Sequence, residues 1–173
     1  MTVELANYLI GLDKYVVVGD NLLEEYEINI EFPMGIRLYL SSKEDIDQSF
    51  LIDVKESSKG RLKVNLHHQD YSTTDGLLRI DYNSRHQNPF IVTDNVPDIF
   101  TTYAGQWLDD YPGHIHYVVD GYKPLVWAIP LENDDFPVKR IDGRVDYAKT
   151  LKAFFEKINL KTNISINNQL IIQ

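Results

Sequence analysis

Alternation of apolar and polar side chains over the first half of the chain is the feature that most restricts its fold. A period of two predicts strands in a sheet with one buried face, because successive side chains point to opposite sides. Between residues 26 and 83 this pattern is interrupted by Pro33 and Gly35 and by the polar stretches 42–48, 57–60 and 72–76. We therefore expect strands at 26–32, 36–41, 49–55, 61–67 and 77–83. Their short linkers predict antiparallel pairing.

The second half of the chain predicts two more strands and a helix. The strands lie at 114–120 and 123–129, around a turn at Gly121–Tyr122, and a long connection, 87–113, precedes them. Residues 144–158 place apolar side chains at i, i+1, i+4, i+7, i+8 and i+11, which is typical of an amphipathic helix. A shorter helix is expected at 2–12 with Thr2 as its cap, and the tail 163–172 is a further strand or a disordered end.

Together these elements predict one α+β domain over residues 1–173. We expect a curved antiparallel sheet of about six or seven strands, with an N-terminal and a C-terminal helix packed on it. The loop 90–113 is a candidate functional segment, since long loops in compact domains often carry function.

Composition excludes several classes of protein. The chain has no cysteine, which excludes thiolate catalysis and disulfide scaffolds. It has no basic leader and no apolar run near the roughly 20 residues of a membrane span, so we expect a cytoplasmic protein without membrane contact. The formal charge is −9, which disfavours broad non-specific binding to nucleic acid. Residues 61–90 and 144–173 are nevertheless net positive, and a local basic face could bind phosphates.

All five histidines lie within fifty consecutive residues: His67, His68, His86, His114 and His116. Residues i and i+2 of a strand share a face, so His114 and His116 project together. His86 follows the end of the 77–83 strand. If the 77–83 and 114–120 strands are neighbours, these three imidazoles converge at one sheet edge. His67 and His68 alternate faces, so at most one of them can join.

Three interpretations fit such a cluster. The first is metal-independent cleavage of RNA through its 2′-hydroxyl, with His86, His114 and His116 supplying acid and base. In that case Arg79 or Arg85 would hold the phosphate and Asp81 would orient an imidazole. The second is a three-imidazole site for zinc or iron, which the neighbouring arginines disfavour, so no metal or other cofactor is expected. The third is a polar network that only stabilises the sheet.

Candidate RNA-binding residues lie near the cluster and on the last helix. Asn83 and Asn88 belong to the polar stretch D-x-N-x-x-H-x-N-P at 81–89, and Tyr117 could stack on a base. Lys149 and Lys152 could contact phosphates. The alternatives are that Tyr117 belongs to the core and that the lysines form a solvated face.

The same motifs resemble a family of small uncharacterised proteins of bacteria and their phages. That family has R-x-D-x-N, then H-x-N-P, then H-x-H, G-Y and W-A-x-P-L. In this chain the motifs correspond to Arg79, Asp81, Asn83, His86, Asn88, Pro89, His114, His116, Gly121, Tyr122, Trp127, Ala128, Pro130 and Leu131.

A more distant resemblance is to TumE-like toxins of toxin–antitoxin pairs. The matching segments, in order, are 67–70 (HHQD), 79–83 (RIDYN), His86 and 114–116 (HIH), although Tyr82 interrupts the toxin's R-x-D-N. The resemblance implies an endoribonuclease-like protein of a phage or mobile element. Its target would be cellular RNA or a CRISPR guide RNA, and its partners RNA, a Cas protein–guide RNA complex or a cognate antitoxin. The rival hypothesis is a non-enzymatic acidic inhibitor that mimics nucleic acid.

Overall fold

A single large antiparallel sheet dominates the computed structural model, which describes residues 1–69, 74–143 and 145–167. Its eight strands are arranged in the order β2-β1-β4-β5-β6-β7-β8-β9. A separate two-stranded sheet pairs β3 with β10 in parallel. The strands are β1 (Lys14–Val18), β2 (Asn21–Leu23), β3 (Glu25–Asn29), β4 (Gly35–Ser42), β5 (Ser49–Glu56), β6 (Leu62–Gln69), β7 (Thr74–Tyr82), β8 (Gly113–Tyr117), β9 (Trp127–Pro130) and β10 (Asn163–Asn167).

Helices α1 (Val3–Gly11) and α3 (Val145–Lys157) lie near the two ends of the chain, so the predicted α+β class is confirmed. The short α2 that the structure places between them (Asp98–Thr101) lies within the predicted long connection. Thr2 caps α1 as predicted, because its side chain accepts a hydrogen bond from the Leu5 amide at 3.2 Å. No helix in the described part of the chain is long and apolar enough to cross a membrane.

The sheet differs from the prediction at its β1 edge. The hairpin β1–β2 was missed, although KYVVV at 14–18 is rich in β-branched residues and leads to a Gly19–Asp20 turn. Because β1 pairs with β4, and β5 pairs with the other edge of β4, the predicted strand at 26–32 has no place beside β4. That segment forms β3 and pairs instead with part of the tail, which is strand from Asn163 to Asn167.

The two faces of the main sheet have opposite character. One face carries fully buried aliphatic side chains, among them Ile52, Val64 and Ile80, and it forms one core with the buried side of α3. The other face carries two rows of polar residues. Within each row the residues lie directly opposite one another on successive strands, from β4 to β8 in the first row and from β5 to β8 in the second. One row is Arg37, Asp53, Asn65, Arg79 and His116, and the other is Lys55, Lys63, Asp81 and His114. We call this side the polar face.

Candidate functional site

The pairing of β7 with β8 brings the predicted histidines together. Asp81 lies opposite His114, and Arg79 lies opposite His116, so the prediction that these strands are neighbours is confirmed. The ring centroid of His86 lies 5.7 Å from that of His114 and 4.5 Å from that of His116. After β7 the chain turns at Asn83, whose φ of 51° is a left-handed conformation that asparagine tolerates. This turn leads into the segment that places His86 over the strand pair.

Asp81 is the centre of the cluster. Its side chain is 1% exposed, and its Oδ2 atom lies 3.2 Å from Arg79 Nε, 3.3 Å from His116 Nε2, 3.5 Å from His114 Nε2 and 3.6 Å from Lys63 Nζ. Burial alone would raise the pKa of the carboxyl group, but His114 and the charge of Arg79 hold this pKa well below its usual range. Asp81 is therefore a buried carboxylate at neutral pH.

His116 is held as a neutral ring. Its Nδ1 atom lies 2.9 Å from the Leu125 carbonyl oxygen and donates to it, which leaves Nε2 as the acceptor. Arg79 Nη2 lies 2.8 Å from Nε2 and 3.1 Å from Nδ1. Because only Nε2 can accept in this tautomer, Arg79 donates its hydrogen bond to Nε2. Burial lowers the pKa of His116 to about 3. Arg79 therefore supplies the positive charge that neutralises Asp81.

His114 is buried with its hydrogen-bonding capacity unused. It is 0% exposed, and neither ring nitrogen has a hydrogen-bond partner among the described residues; the same holds for Asp81 Oδ1. A buried polar group without a partner costs about 1–3 kcal/mol. The cluster therefore contains more polar groups than the packing of the sheet requires, which is typical of a functional site.

His86 is the one histidine of the cluster that is only partly buried. Its Nε2 atom lies 3.0 Å from the Val126 carbonyl oxygen and 3.1 Å from Asn88 Oδ1. Because both neighbours are acceptors, Nε2 carries the proton and Nδ1 keeps the lone pair. Burial lowers the pKa of His86, so the ring is a neutral base at pH 7. Arg79 and Lys63, which both lie close to Asp81, keep side-chain exposures of 23% and 46%.

The other polar residues of the 81–89 motif have different positions. Arg85 lies outside the cluster, because it pairs with Asp109 at 3.2 Å and stacks over Trp107. Asn83 is exposed, and its amide donates to the Gly60 carbonyl oxygen at 3.2 Å.

Asn88 has a structural position. It is 2% exposed, and its side chain donates to the carbonyls of Tyr103 and Ala128 and accepts from the Ala128 amide at 2.8 Å. Its side-chain amide thus bonds the backbone N–H and C=O of Ala128 at the free edge of β9, as a neighbouring strand would. Some of the polar residues of the 81–89 motif therefore stabilise the fold and do not belong to a functional site.

The remaining RNA-binding candidates lie across the sheet from the histidines. Tyr117 alternates with His116, so its ring faces the core side, where its hydroxyl donates to Asp134 at 2.6 Å. Lys149 and Lys152 are exposed on α3, which packs on that same side. The cluster and these three residues cannot contact one short RNA segment together.

Sequence reasoning missed Lys63. It lies opposite Asp81, and the alternation of β6 already placed it in phase with Asn65 and His67 on the polar face. The adjacent His68 lies on the other face, where its Nε2 is 2.7 Å from Gln48 Oε1, so only His67 shares the histidine side as predicted. The carbonyls of Leu125 and Val126, which fix two ring tautomers, carry no signal in the sequence.

Comparison with known proteins places the chain in a family. A model described as a family of unknown function, DUF6978, matches residues 1–160. The chain belongs to the DUF6978 family. No curated protein and no solved structure matches it. The matched range includes every residue of the cluster.

In this DUF6978 protein the cluster also contains a set of metal-ligating groups. Asp81, His114 and His116 each offer one ligand atom, and these atoms lie within 4.8 Å of one another. Two imidazoles and a carboxylate suit iron or zinc. However, the Arg79 guanidinium lies 2.8 Å from one of these ligands and 3.2 Å from another. A cation would have to displace it.

Proposed function

We propose that this protein is a metal-independent endoribonuclease that attacks the phosphodiester through the neighbouring 2′-hydroxyl. The observation that carries the proposal is the layered cluster: a partly exposed neutral His86 beside an exposed edge of Arg79, above buried Asp81, His114 and His116. A base, a phosphate-binding cation and a buried anion that holds the cation in place are the parts that this reaction needs.

Each accessible group has its own role in the proposed reaction. His86 Nδ1 takes the proton of the 2′-hydroxyl, whose oxygen attacks phosphorus. The bond from phosphorus to the 5′-oxygen breaks, and a 2′,3′-cyclic phosphate forms. Arg79 stabilises the charge that builds on the phosphate oxygens. Lys63, the exposed ammonium beside the cluster, gives the leaving 5′-oxygen its proton.

The buried histidines then act as positioning residues. His114 and His116 are 0% exposed, so a substrate cannot touch them directly in this arrangement. His116 holds the Arg79 guanidinium at 2.8 Å, and both rings surround the carboxylate that pairs with Arg79. This assignment narrows the sequence-based prediction, which let any of the three histidines serve as acid or base.

Cleavage of a matched pair of oligonucleotides tests the proposal. A labelled single-stranded RNA and the same strand with one 2′-deoxynucleotide at the cleavage position are incubated with the protein in EDTA. We expect cleavage of the RNA to a 2′,3′-cyclic phosphate, and no cleavage at the deoxy position. Equal cleavage of both strands, or complete dependence on added metal, would contradict the proposal.

The exposed acids favour a second candidate, an inhibitor that binds a nucleic-acid-binding protein. Residues 20–31 contain five acids, Asp20, Glu24, Glu25, Glu27 and Glu31, and all are exposed. Such a surface can cover a basic channel by mimicking phosphates. This activity would depend on these acids and would not need His86.

The site of action that fits the nuclease proposal is the cytoplasm of a bacterial cell. A toxin would cleave cellular RNA and be held by a cognate antitoxin, whereas a phage counter-defence protein would cleave the guide RNA of a Cas complex. Both roles use the same chemistry at the same cluster.

A further inference from the structure

We infer that the polar face of the sheet is the binding track for the single-stranded RNA that the cluster cleaves. This inference rests on the proposed function for its choice of substrate. The track crosses strands β4 to β7 and ends at Arg79 and Asp81.

Register places the track beside the site. Arg37, Asp53, Asn65 and Arg79 lie directly opposite one another on successive strands, and Lys55 and Lys63 lead in the same way to Asp81. Directly opposite residues share a face, so these side chains line one surface. At 4.7–4.9 Å per strand, the four strands span about 15 Å, which suits a short stretch of extended backbone.

Charge on this surface favours a polyanion. Arg37, Lys55 and Lys63 are 53%, 66% and 46% exposed, whereas the acids Asp53 and Asp81 are only 14% and 1% exposed. Asp53 is also neutralised, because Arg37 and Lys55 both lie 3.2 Å from its carboxylate. An approaching phosphate therefore meets cations, in a protein whose net charge is −9.

An aromatic ring favours single strands over duplexes. Tyr39 lies two residues after Arg37 on β4, on the same face, and is 53% exposed. Successive bases of a single strand can stack on such a ring, while the bases of a duplex cannot reach it. Asn65, half-buried between Asp53 and Arg79, adds a hydrogen-bonding amide to the track.

Binding of a non-cleavable RNA tests the track separately from the chemistry. The probe is a fluorescent single-stranded 12-mer with 2′-O-methyl riboses, titrated at several salt concentrations. We expect Arg37→Gln, Lys55→Gln and Lys63→Gln each to weaken binding several-fold and to reduce the salt slope by about 1. Tyr39→Ala should weaken it about 5- to 100-fold, and Tyr39→Phe should retain it.

Lys149→Gln and Lys152→Gln are the matched controls, since these lysines are exposed on the opposite side of the sheet. We expect less than a twofold change for each. Equal weakening by the controls would place the RNA on α3 and overturn the inference, as would the absence of any binding or a preference for duplex RNA. Tight binding of the probe without cleavage of unmodified RNA would support the track and contradict the nuclease. Cleavage that is unaffected by Arg37→Gln, Lys55→Gln and Tyr39→Ala would instead support the nuclease and contradict the track.

Discussion

At the scale of single residues, exposure separates His86 from the other two histidines of the cluster. His86 is reachable from solvent, whereas His114 and His116 are 0% exposed. The sequence predicted that all three meet, because H-x-H on a strand and a histidine beyond the next strand end constrain their positions. It could not predict which ring stays accessible, since this depends on the segment 120–126 that covers His116 through the Leu125 carbonyl.

The first prediction compares two histidine replacements. His86→Ala should lower the rate of RNA cleavage about 10²–10⁴-fold, the usual effect of losing one general base, with little loss of stability. Added imidazole should restore part of the rate, because the vacated position is open to solvent. His116→Ala should lower the rate without imidazole rescue, and should reduce the free energy of unfolding by about 1–3 kcal/mol by leaving a buried carbonyl unpaired. Cleavage assays with and without imidazole, together with urea unfolding, measure these effects. A fully active His86→Ala would contradict the assignment.

The second prediction concerns stability in acid. In the unfolded chain a histidine binds a proton below about pH 6.5, whereas burial lowers the pKa of folded His116 to about 3. The unfolded state therefore binds more protons between these values, so stability is fully present above pH 6.5 and falls as the pH drops toward 3. The groups that face His116 are Asp81, Arg79, His114 and His86; the lowered pKa values of His86 and of Asp81 act in the same direction.

Replacement of His116 with a side chain that does not titrate isolates its contribution. His116→Asn keeps an amide that can donate to the Leu125 carbonyl. Between pH 6 and 4 the free energy of unfolding of the wild type should fall more steeply than that of the variant, by up to about 1.4 kcal/mol per pH unit. Urea unfolding of both proteins at pH 7, 6, 5 and 4 measures the two slopes. Parallel slopes would show that His116 is already protonated in the folded protein.

At the scale of elements, one buried lysine joins both terminal helices. Lys14, at the start of β1, is 0% exposed. Its Nζ donates to the carbonyl of Ile10 in the last turn of α1 at 2.8 Å, to that of Leu12 just after α1 at 2.9 Å, and to that of Ile158 just after α3 at 3.0 Å. Carbonyls at helix C-termini lack partners within the helix, and a cation there satisfies them. No sequence signal marks this role, because a lysine that begins a strand is usually exposed. Periodicity predicted both helices but not the contact between them.

The third prediction is that Lys14→Met strongly destabilises the fold. The methionine fills a similar volume but leaves three carbonyls without a donor, so the free energy of unfolding should fall by about 2–4 kcal/mol. Lys161→Met is the control: Lys161 is 43% exposed and pairs with Asp13 at 3.4 Å, so its loss should change stability by less than about 1 kcal/mol. Chemical denaturation of both variants provides the measurement. A loss of similar size in the two would contradict the role of Lys14.

At the scale of the whole molecule, charge is segregated between two surfaces. The exposed acids of 20–31 lie around β2 and β3, whereas the polar face concentrates exposed cations beside the histidine cluster. The acids of 20–31 are close together in the sequence, so composition alone indicates an acidic segment. The concentration of cations on the polar face could not be predicted from the sequence. These cations are single residues on successive strands, and only the register aligns them.

The last prediction uses this segregation to separate a nuclease from an inhibitor. In Glu25→Gln/Glu27→Gln/Glu31→Gln, three exposed acids lose their charge while the histidine cluster is unchanged. A nuclease should cleave RNA at least as fast as the wild type, and faster at low salt, because removing negative charge reduces repulsion of the substrate. An inhibitor that mimics nucleic acid should instead lose affinity for its basic partner. His86→Ala is the reciprocal variant, which should lower the cleavage rate about 10²–10⁴-fold and leave such binding intact. Cleavage rates at 50 and 200 mM salt for both variants measure the outcome, and a triple variant that loses cleavage while retaining its fold would contradict the nuclease.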